Sequence, residues 1–346
     1  MLCISGHPYD TLEEVIGQRP GHQTGNYRGS LLDWGIGYSE LELLYGEEAH
    51  AANGDIVAFD FPSIEKAIEA DPKIQLIHIQ RSCGFQWRPS IPVQEIGRLC
   101  SHIKEKYKSR ELVIFVDNCY GELVEELEPC HVGADLIAGS LIKNLGGTLA
   151  PCGGYIAGRQ DLVQRATVHL SAPGVDGGAT FNMYRYLFQG LFMAPSIVGE
   201  SLKGAMLVSE VMDTNLGFSC NPKPKGHRTD IIQAVRLGSR ERLIAFCEAV
   251  QRKSPVGAHI RCVLDLRIRR LVMIFRRPIP GMSPGYGDEV IFADGTFIDG
   301  STLELSADGP LREPYVAYTQ GCTHWTHWAI VLQEALNQPA FQRNTA

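Results

Sequence analysis

The sequence predicts an α/β fold, a mainly parallel sheet covered on both faces by helices and followed by a smaller α+β unit. Three observations carry that expectation. Short apolar, β-branched runs alternate with helical stretches over the first two-thirds of the chain, the pattern of strands buried on both sides. The alternation repeats as β–α–β. Beyond Phe181 it gives way to a long helical stretch and then to a polar, Pro-containing segment.

In chain order, strands are expected over residues 55–60 (DIVAFD), 74–80 (IQLIHIQ), 112–117 (LVIFVD), 135–139 (DLIAG) and 154–158 (GYIAG). Apolar residues at spacings of three and four make residues 63–70 and 93–108 the crossover helices. A longer helix should run from residue 181 to about 213 and kink at Pro195, which has no backbone N–H to donate. Residues 221–228 (NPKPKGHR) read as a linker, followed by a helix over 229–253. Strands over 289–293, 302–306 and 315–319 and a helix over 322–338 complete the chain. The expected domains are 1–215 and 216–346.

Residues 261–277 (RCVLDLRIRRLVMIFRR) do not fit this scheme, because six Arg against one Asp give +5 and leave −12 for the rest of a chain whose net charge is −7. Arg would lie on every face of a strand or helix here. A surface loop and an anion-binding patch compete with a poorly packed insertion. The insertion is favoured, since the Gly/Pro-rich IPGMSPGYGD that follows already makes a complete connection.

The 346 residues, 44% hydrophobic and 21% charged, suffice for one or two packed domains. With 32 Lys and Arg against 39 Asp and Glu, nucleic acid and anionic membranes are not expected as partners. No run of about 20 uncharged apolar residues occurs, and Met1 is not followed by a signal-peptide pattern. A soluble protein that takes a small molecule is expected, with the cytoplasm as its default compartment and an organelle as the alternative. The ten cysteines include no C-x-x-C pair and read as reduced, mostly buried thiols.

The chemistry concentrates in VDNCYGELVE and ADLIAGSLIKNLGGTLAPCGGYIAG. The apolar run from Leu112 to Val116 ends in Asp117 and Asn118, and open α/β sheets bind ligands at the carboxyl ends of their strands. Capping of a following helix is the competing role for this pair. Residues 135–139 deliver Ser140 and Lys143 to the same edge, 26 positions after Asp117, a span that fits one short crossover between neighbouring strands. Lys143 sits among apolar and Gly residues, where desolvation favours the free amine. Such an amine forms Schiff bases, and pyridoxal phosphate is the common cofactor that uses one together with a carboxylate at its pyridine nitrogen. Ser140 can donate to its phosphate.

Residues 117–122 (DNCYGE), 139–158 (GSLIKNLGGTLAPCGGYIAG) and 305–315 (LSADGPLREPY) together resemble the pyridoxal-phosphate lyases known as methionine γ-lyase-like or aluminium-resistance proteins. These are relatives of cystathionine β-lyase with the aspartate-aminotransferase fold, fold type I. The resemblance runs from about residue 4 to 319, broken by the Arg-rich segment. It implies Lys143 as the Schiff-base lysine, Asp117 at the pyridine nitrogen with Asn118 beside it, and Ser140 on the phosphate. It further implies Tyr9, in GHPYDT, as the tyrosine stacked on the ring, as in the transsulfuration lyases. Arg312 is the candidate for the substrate carboxylate, which its fork matches bidentately.

The activity so implied is β- or γ-elimination at a carbon–sulfur bond of a cysteine-, methionine- or cystathionine-like amino acid, by a homodimer or homotetramer. Transamination, desulfuration and a catalytically silent binding role are the alternatives. Family members begin before the position matching Met1, so a first strand and a small-residue phosphate turn are expected to be missing. His324 and His327 have no obvious third ligand, and no metal is expected. Neither a dinucleotide fingerprint nor a phosphate loop occurs.

Overall fold

A computed structural model describes residues 1–18, 29–53, 57–170, 183–254, 290–294, 305–310 and 313–342. Residues 261–277 and Arg312 lie outside the described residues. The strands are β1 (Leu2–Cys3), β2 (Ser39–Glu40), β3 (Leu43–Tyr45), β4 (Val57–Phe59), β5 (Leu76–Gln80), β6 (Val113–Asp117), β7 (Leu136–Ser140), β8 (Gly154–Gly158), β9 (Ser219–Asn221), β10 (Gln233–Arg236), β11 (Val290–Asp294), β12 (Ser306–Pro310) and β13 (Val316–Gln320). The helices are α1 (Asp10–Ile16), α2 (Gly46–Asn53), α3 (Phe61–Ala70), α4 (Val93–Lys106), α5 (Gln160–Leu170), α6 (Tyr184–Ser209), α7 (Arg240–Lys253), α8 (Thr326–Leu336) and α9 (Pro339–Gln342).

The chain divides into two compact units, one of Met1–Ser140 with Gly154–Tyr184 and one of Leu141–Gly153 with Arg185–Ala346. This differs from the expected division at residue 215. Both α6 and the connection that carries Lys143 group with the second unit.

The first unit holds a six-stranded sheet in the order β2-β1-β5-β6-β7-β8, parallel except for the antiparallel β7–β8 pair. The α/β expectation is met, and β5 to β8 fall within two residues of their expected bounds. Residues 57–59 do not join this sheet: β4 pairs antiparallel with β3. The place beside β5 is taken by β1, a two-residue strand at the chain start that offers too short a run to be recognised in the sequence. β4 ends where Asp60 caps α3, accepting from Ser63 N at 3.1 Å.

Register divides the sheet's two faces. Leu2, Ile77, Ile79, Ile114, Val116 and Ile137 form one core with Ile64 and Ile68 of α3 and Ile96, Leu99 and Ile103 of α4. The helical residues recur at three and four, which turns one stripe of each helix to the sheet. The opposite face carries Cys3, His78, Gln80, Phe115, Asp117, Ala138 and Ser140, aligned across neighbouring strands.

The second unit has a five-stranded antiparallel sheet in the order β11-β12-β13-β10-β9. Val208, Val235, Leu243, Phe246, Ala317 and Trp328 lie in its core. The expected helix over 229–253 begins only at Arg240, where Ser239 caps it by accepting from Arg242 N at 3.2 Å. The preceding residues make β10, because Gln233, Ala234 and Val235 are buried between two neighbouring strands. β9 occupies the start of the expected linker, and β12 starts at the last residue of the strand expected over 302–306.

Helix α6 runs through Pro195 without a break and continues as a wider π-type turn over Glu210–Asn215. By length and composition alone it is apolar enough to cross a bilayer. It buries a stripe of Gly190, Ala194, Val198, Ser201, Ala205 and Val208.

Candidate active site

The carboxyl end of β6 is where sequence chemistry and sheet geometry meet. Asp117 is half-buried, and its Oδ1 accepts from Cys119 N at 3.1 Å, closing a tight turn. No helix follows; residues 119–124 form turns, so capping does not explain this carboxylate. The ladder runs one residue past the strand, with Arg81 N donating to Asp117 O at 3.0 Å and Asn118 N to Ala138 O at 2.9 Å. Ser140 lies two residues beyond Ala138, the register partner of Asp117, and therefore on the same face of the next strand. Its backbone N donates to Cys119 Sγ at 3.3 Å, which ties the end of β7 to the turn after Asp117. Burial and the neighbouring Asp117 and Glu122 hold the Cys119 thiol well above its ordinary range, so it stays protonated.

Tyr9 reaches the same edge. Its N donates at 3.0 Å to Oε1 of Gln80, the register partner of Asp117 on β5, and the residue is 39% exposed. The preceding His7 lies between two carboxylates, Glu13 on Nε2 and Glu40 on Nδ1, and these push its pKa up to about 10. A charged imidazolium thus holds the turn before Tyr9 in place.

Asn118 does not point where the sequence suggested. The side chain is fully buried on the helix-covered side, with Oδ1 accepting from Arg81 Nη1 at 2.7 Å. Its Nδ2 donates to Glu128 Oε2 at 2.8 Å and to the Tyr155 hydroxyl at 3.2 Å. All of its side-chain hydrogen-bonding groups serve protein partners, a consequence of the strand parity that sends alternate residues to opposite faces. Arg81, Glu122 and Tyr155, which share this buried cluster, were not singled out from the sequence. The available signal was a charged residue directly after the buried run 74–80.

Lys143 belongs to the second unit. It is half-buried and extended, directly before a 3₁₀ turn over Asn144–Gly146, and its carbonyl accepts from Gly146 N at 3.0 Å. Asn144 is buried and donates through Nδ2 to Ser201 Oγ and to Gly321 O, each at 2.7 Å. A Cβ on Gly147 would fall 2.0 Å from Gly190 O, and one on Gly146 would fall 1.7 Å from Leu141 O. Only glycine lets this turn lie against α6, so the run KNLGG fixes the backbone that presents the lysine. Arg312 falls outside the described residues. His324 and His327 bond Thr326 and Thr323 hydroxyls at 2.8 Å, and among the described residues no three metal-capable side chains converge.

A carboxylate, a hydroxyl and a tyrosine therefore gather at the carboxyl edge of one parallel sheet, and an amine follows on a pinned turn. Comparison with known proteins shows what the whole chain is similar to. A family model described as methionine gamma-lyase matches residues 1–340. YnbB of Bacillus subtilis (strain 168) is 45% identical over 329 residues, which are 94% of this chain and 70% of that protein. A 33.9 kDa protein from the glnA 5' region of Lactobacillus delbrueckii subsp. bulgaricus is 38% identical over 97% of this chain and 99% of its own length. The solved carbon-sulfur lyase involved in aluminum resistance from Clostridium novyi NT superposes with a TM-score of 0.80 at 39% identity, covering 97% of this chain and 71% of that one. The metB structure from Corynebacterium glutamicum, at 14% identity and a TM-score of 0.57, shares the fold.

Proposed function

The chain belongs to the methionine gamma-lyase family, and on that premise we propose that it is a pyridoxal-phosphate-dependent lyase cleaving a carbon–sulfur bond of a cysteine-, methionine- or cystathionine-like amino acid. The observation that carries this reading is the common face of Asp117 and Ser140 at the ends of adjacent parallel strands, with Lys143 three residues farther along the chain. Carboxylate, hydroxyl and amine are the donor set the cofactor needs. Bound there, pyridoxal phosphate supplies the electron sink for the pair left when a bond to the substrate Cα breaks.

The protein's own groups then divide the work. Lys143 Nζ would hold the cofactor at its aldehyde carbon and would serve as the base for the substrate Cα proton. The Asp117 carboxylate keeps the proton on the pyridine nitrogen. Ser140 donates its hydroxyl hydrogen to the phosphate, and the Tyr9 hydroxyl protonates the departing sulfur. Arg312 holds the substrate carboxylate.

The test is trapping. Protein incubated with pyridoxal phosphate should turn yellow, and borohydride reduction followed by peptide mapping should place the tag on Lys143, with none in Lys143→Ala. A tag on another lysine, or on none, overturns this reading.

A further inference from the structure

Three of the six residues in the motif 117–122 lie behind the sheet that presents Asp117. Asn118 stands at the centre of a chain of hydrogen bonds: Arg81 Nη1 to Asn118 Oδ1 at 2.7 Å, Asn118 Nδ2 to the Tyr155 hydroxyl at 3.2 Å, and that hydroxyl to Glu122 Oε1 at 3.0 Å. Two glycines make room for it. A Cβ on Gly121 would meet Arg81 Nη1 at 2.4 Å, and one on Gly139 would meet Glu122 Oε1 at 2.3 Å and Tyr155 Cε1 at 2.5 Å.

Charge is unevenly shared in this cluster. Arg81, fully buried, pairs with Glu125 at 2.5 Å and lies 3.7 Å from Glu128. Glu122 is buried, and no cationic side chain among the described residues pairs with it. The groups around it are the Tyr155 hydroxyl on β8, Asp117 and the Cys119 thiol at the end of β6, and Glu128 in the loop that follows. An ionised Glu122 would be a buried charge facing two other carboxylates, which low dielectric strongly disfavours.

We propose that Asn118, Tyr155 and Glu122 are positioning residues that hold the Asp117 end of β6 against the cofactor ring, and that this relay works with Glu122 as a neutral acid. The inference rests on the cofactor reading of Asp117. Burial, with Asp117 and Glu128 nearby, raises the Glu122 pKa to about 8, in keeping with the charge count. Loss of that proton places a new negative charge beside Asp117 and Glu128 and should loosen the strand end.

The probe is pyridoxine 5'-phosphate, which has the ring and phosphate but no aldehyde for Lys143. Its binding to the cofactor-free protein is measured by calorimetry at about pH 7 and about pH 9.5, beside thermal melting of the same samples. Glu122→Gln should match the wild type at the lower pH. At the higher pH the wild type should bind about tenfold more weakly than Glu122→Gln, which has no proton to lose. Tyr155→Phe keeps the ring but breaks the relay, and should bind about tenfold more weakly at both values while melting as a folded protein. If wild type and Glu122→Gln show the same pH dependence in binding and melting, the neutral-acid relay is overturned. If Tyr155→Phe binds as the wild type does, the positioning role is overturned. If no form binds the probe at either pH, the cofactor reading itself fails and takes the positioning role with it.

Discussion

At the scale of single residues, the histidine and the tyrosine near the amino end carry separable consequences. Tyr9 is anchored through its backbone to Gln80 while its side chain stays partly open. Replacing Tyr9 by Phe should therefore leave the yellow colour and slow release of the thiol product by about a hundredfold, the usual worth of a positioned proton donor; unchanged turnover removes Tyr9 from the proposed chemistry. His7 acts on stability. The folded chain holds its proton more tightly than the unfolded chain, because Glu13 and Glu40 face both ring nitrogens. That stabilisation is complete below about pH 6.5 and is lost as pH rises through about 10. The melting temperature of the wild type should accordingly decline across that window, and His7→Gln should show a flatter profile and a lower melting temperature at neutral pH.

Between elements, α6 offers a sign reversal that tests how the lysine turn is packed. A Cβ added to Gly199 of this helix would have nothing within 4 Å, whereas a Cβ on Gly190 would sit 2.1 Å from Gly146 O. Gly199→Ala should stabilise by about 0.5–1 kcal/mol through helix propensity alone. Gly190→Ala should instead destabilise by about 1–3 kcal/mol through overpacking and weaken trapping at Lys143; denaturant titration of both variants reads the difference. None of this proximity was visible in the sequence, which marked KNLGG as a cofactor motif without showing that its glycines answer to a helix about forty residues later. The strands β5 and β6 were legible because apolar, β-branched runs with buried residues have few other uses. Residues 57–59 misled because the same kind of run also suits a two-stranded ribbon, and pairing depends on which strand takes the neighbouring slot. The start of the 229–253 segment misled because a short apolar run, Ala234–Val235, lacks the length to distinguish strand from helix. At the candidate site, the end of a strand identified Asp117, but only register assigned Asn118 to the opposite face.

At the scale of the whole molecule, product analysis distinguishes the reactions that the proposed groups would support. Lys143, Asp117 and Ser140 would serve elimination, transamination and desulfuration alike, because the cofactor supplies the electron sink in each and the protein decides which bond to Cα is broken. Membership of the methionine gamma-lyase family favours elimination, and elimination differs from transamination in a way that needs no structural assumption. Elimination followed by hydrolysis yields keto acid, ammonia and a thiol or sulfide from one substrate. Transamination instead requires a second keto acid to carry the amino group away. Purified protein loaded with pyridoxal phosphate and given cysteine, cystathionine or methionine separately should thus release keto acid and ammonia in equal amounts without any acceptor. The identity of the keto acid sorts the position of cleavage: pyruvate from cysteine reports β-elimination, and 2-oxobutyrate from methionine reports γ-elimination. Keto acid that forms only when an acceptor is added would assign the chain to transamination. Sulfur transferred to the protein as persulfide, with alanine as the other product, would assign it to desulfuration.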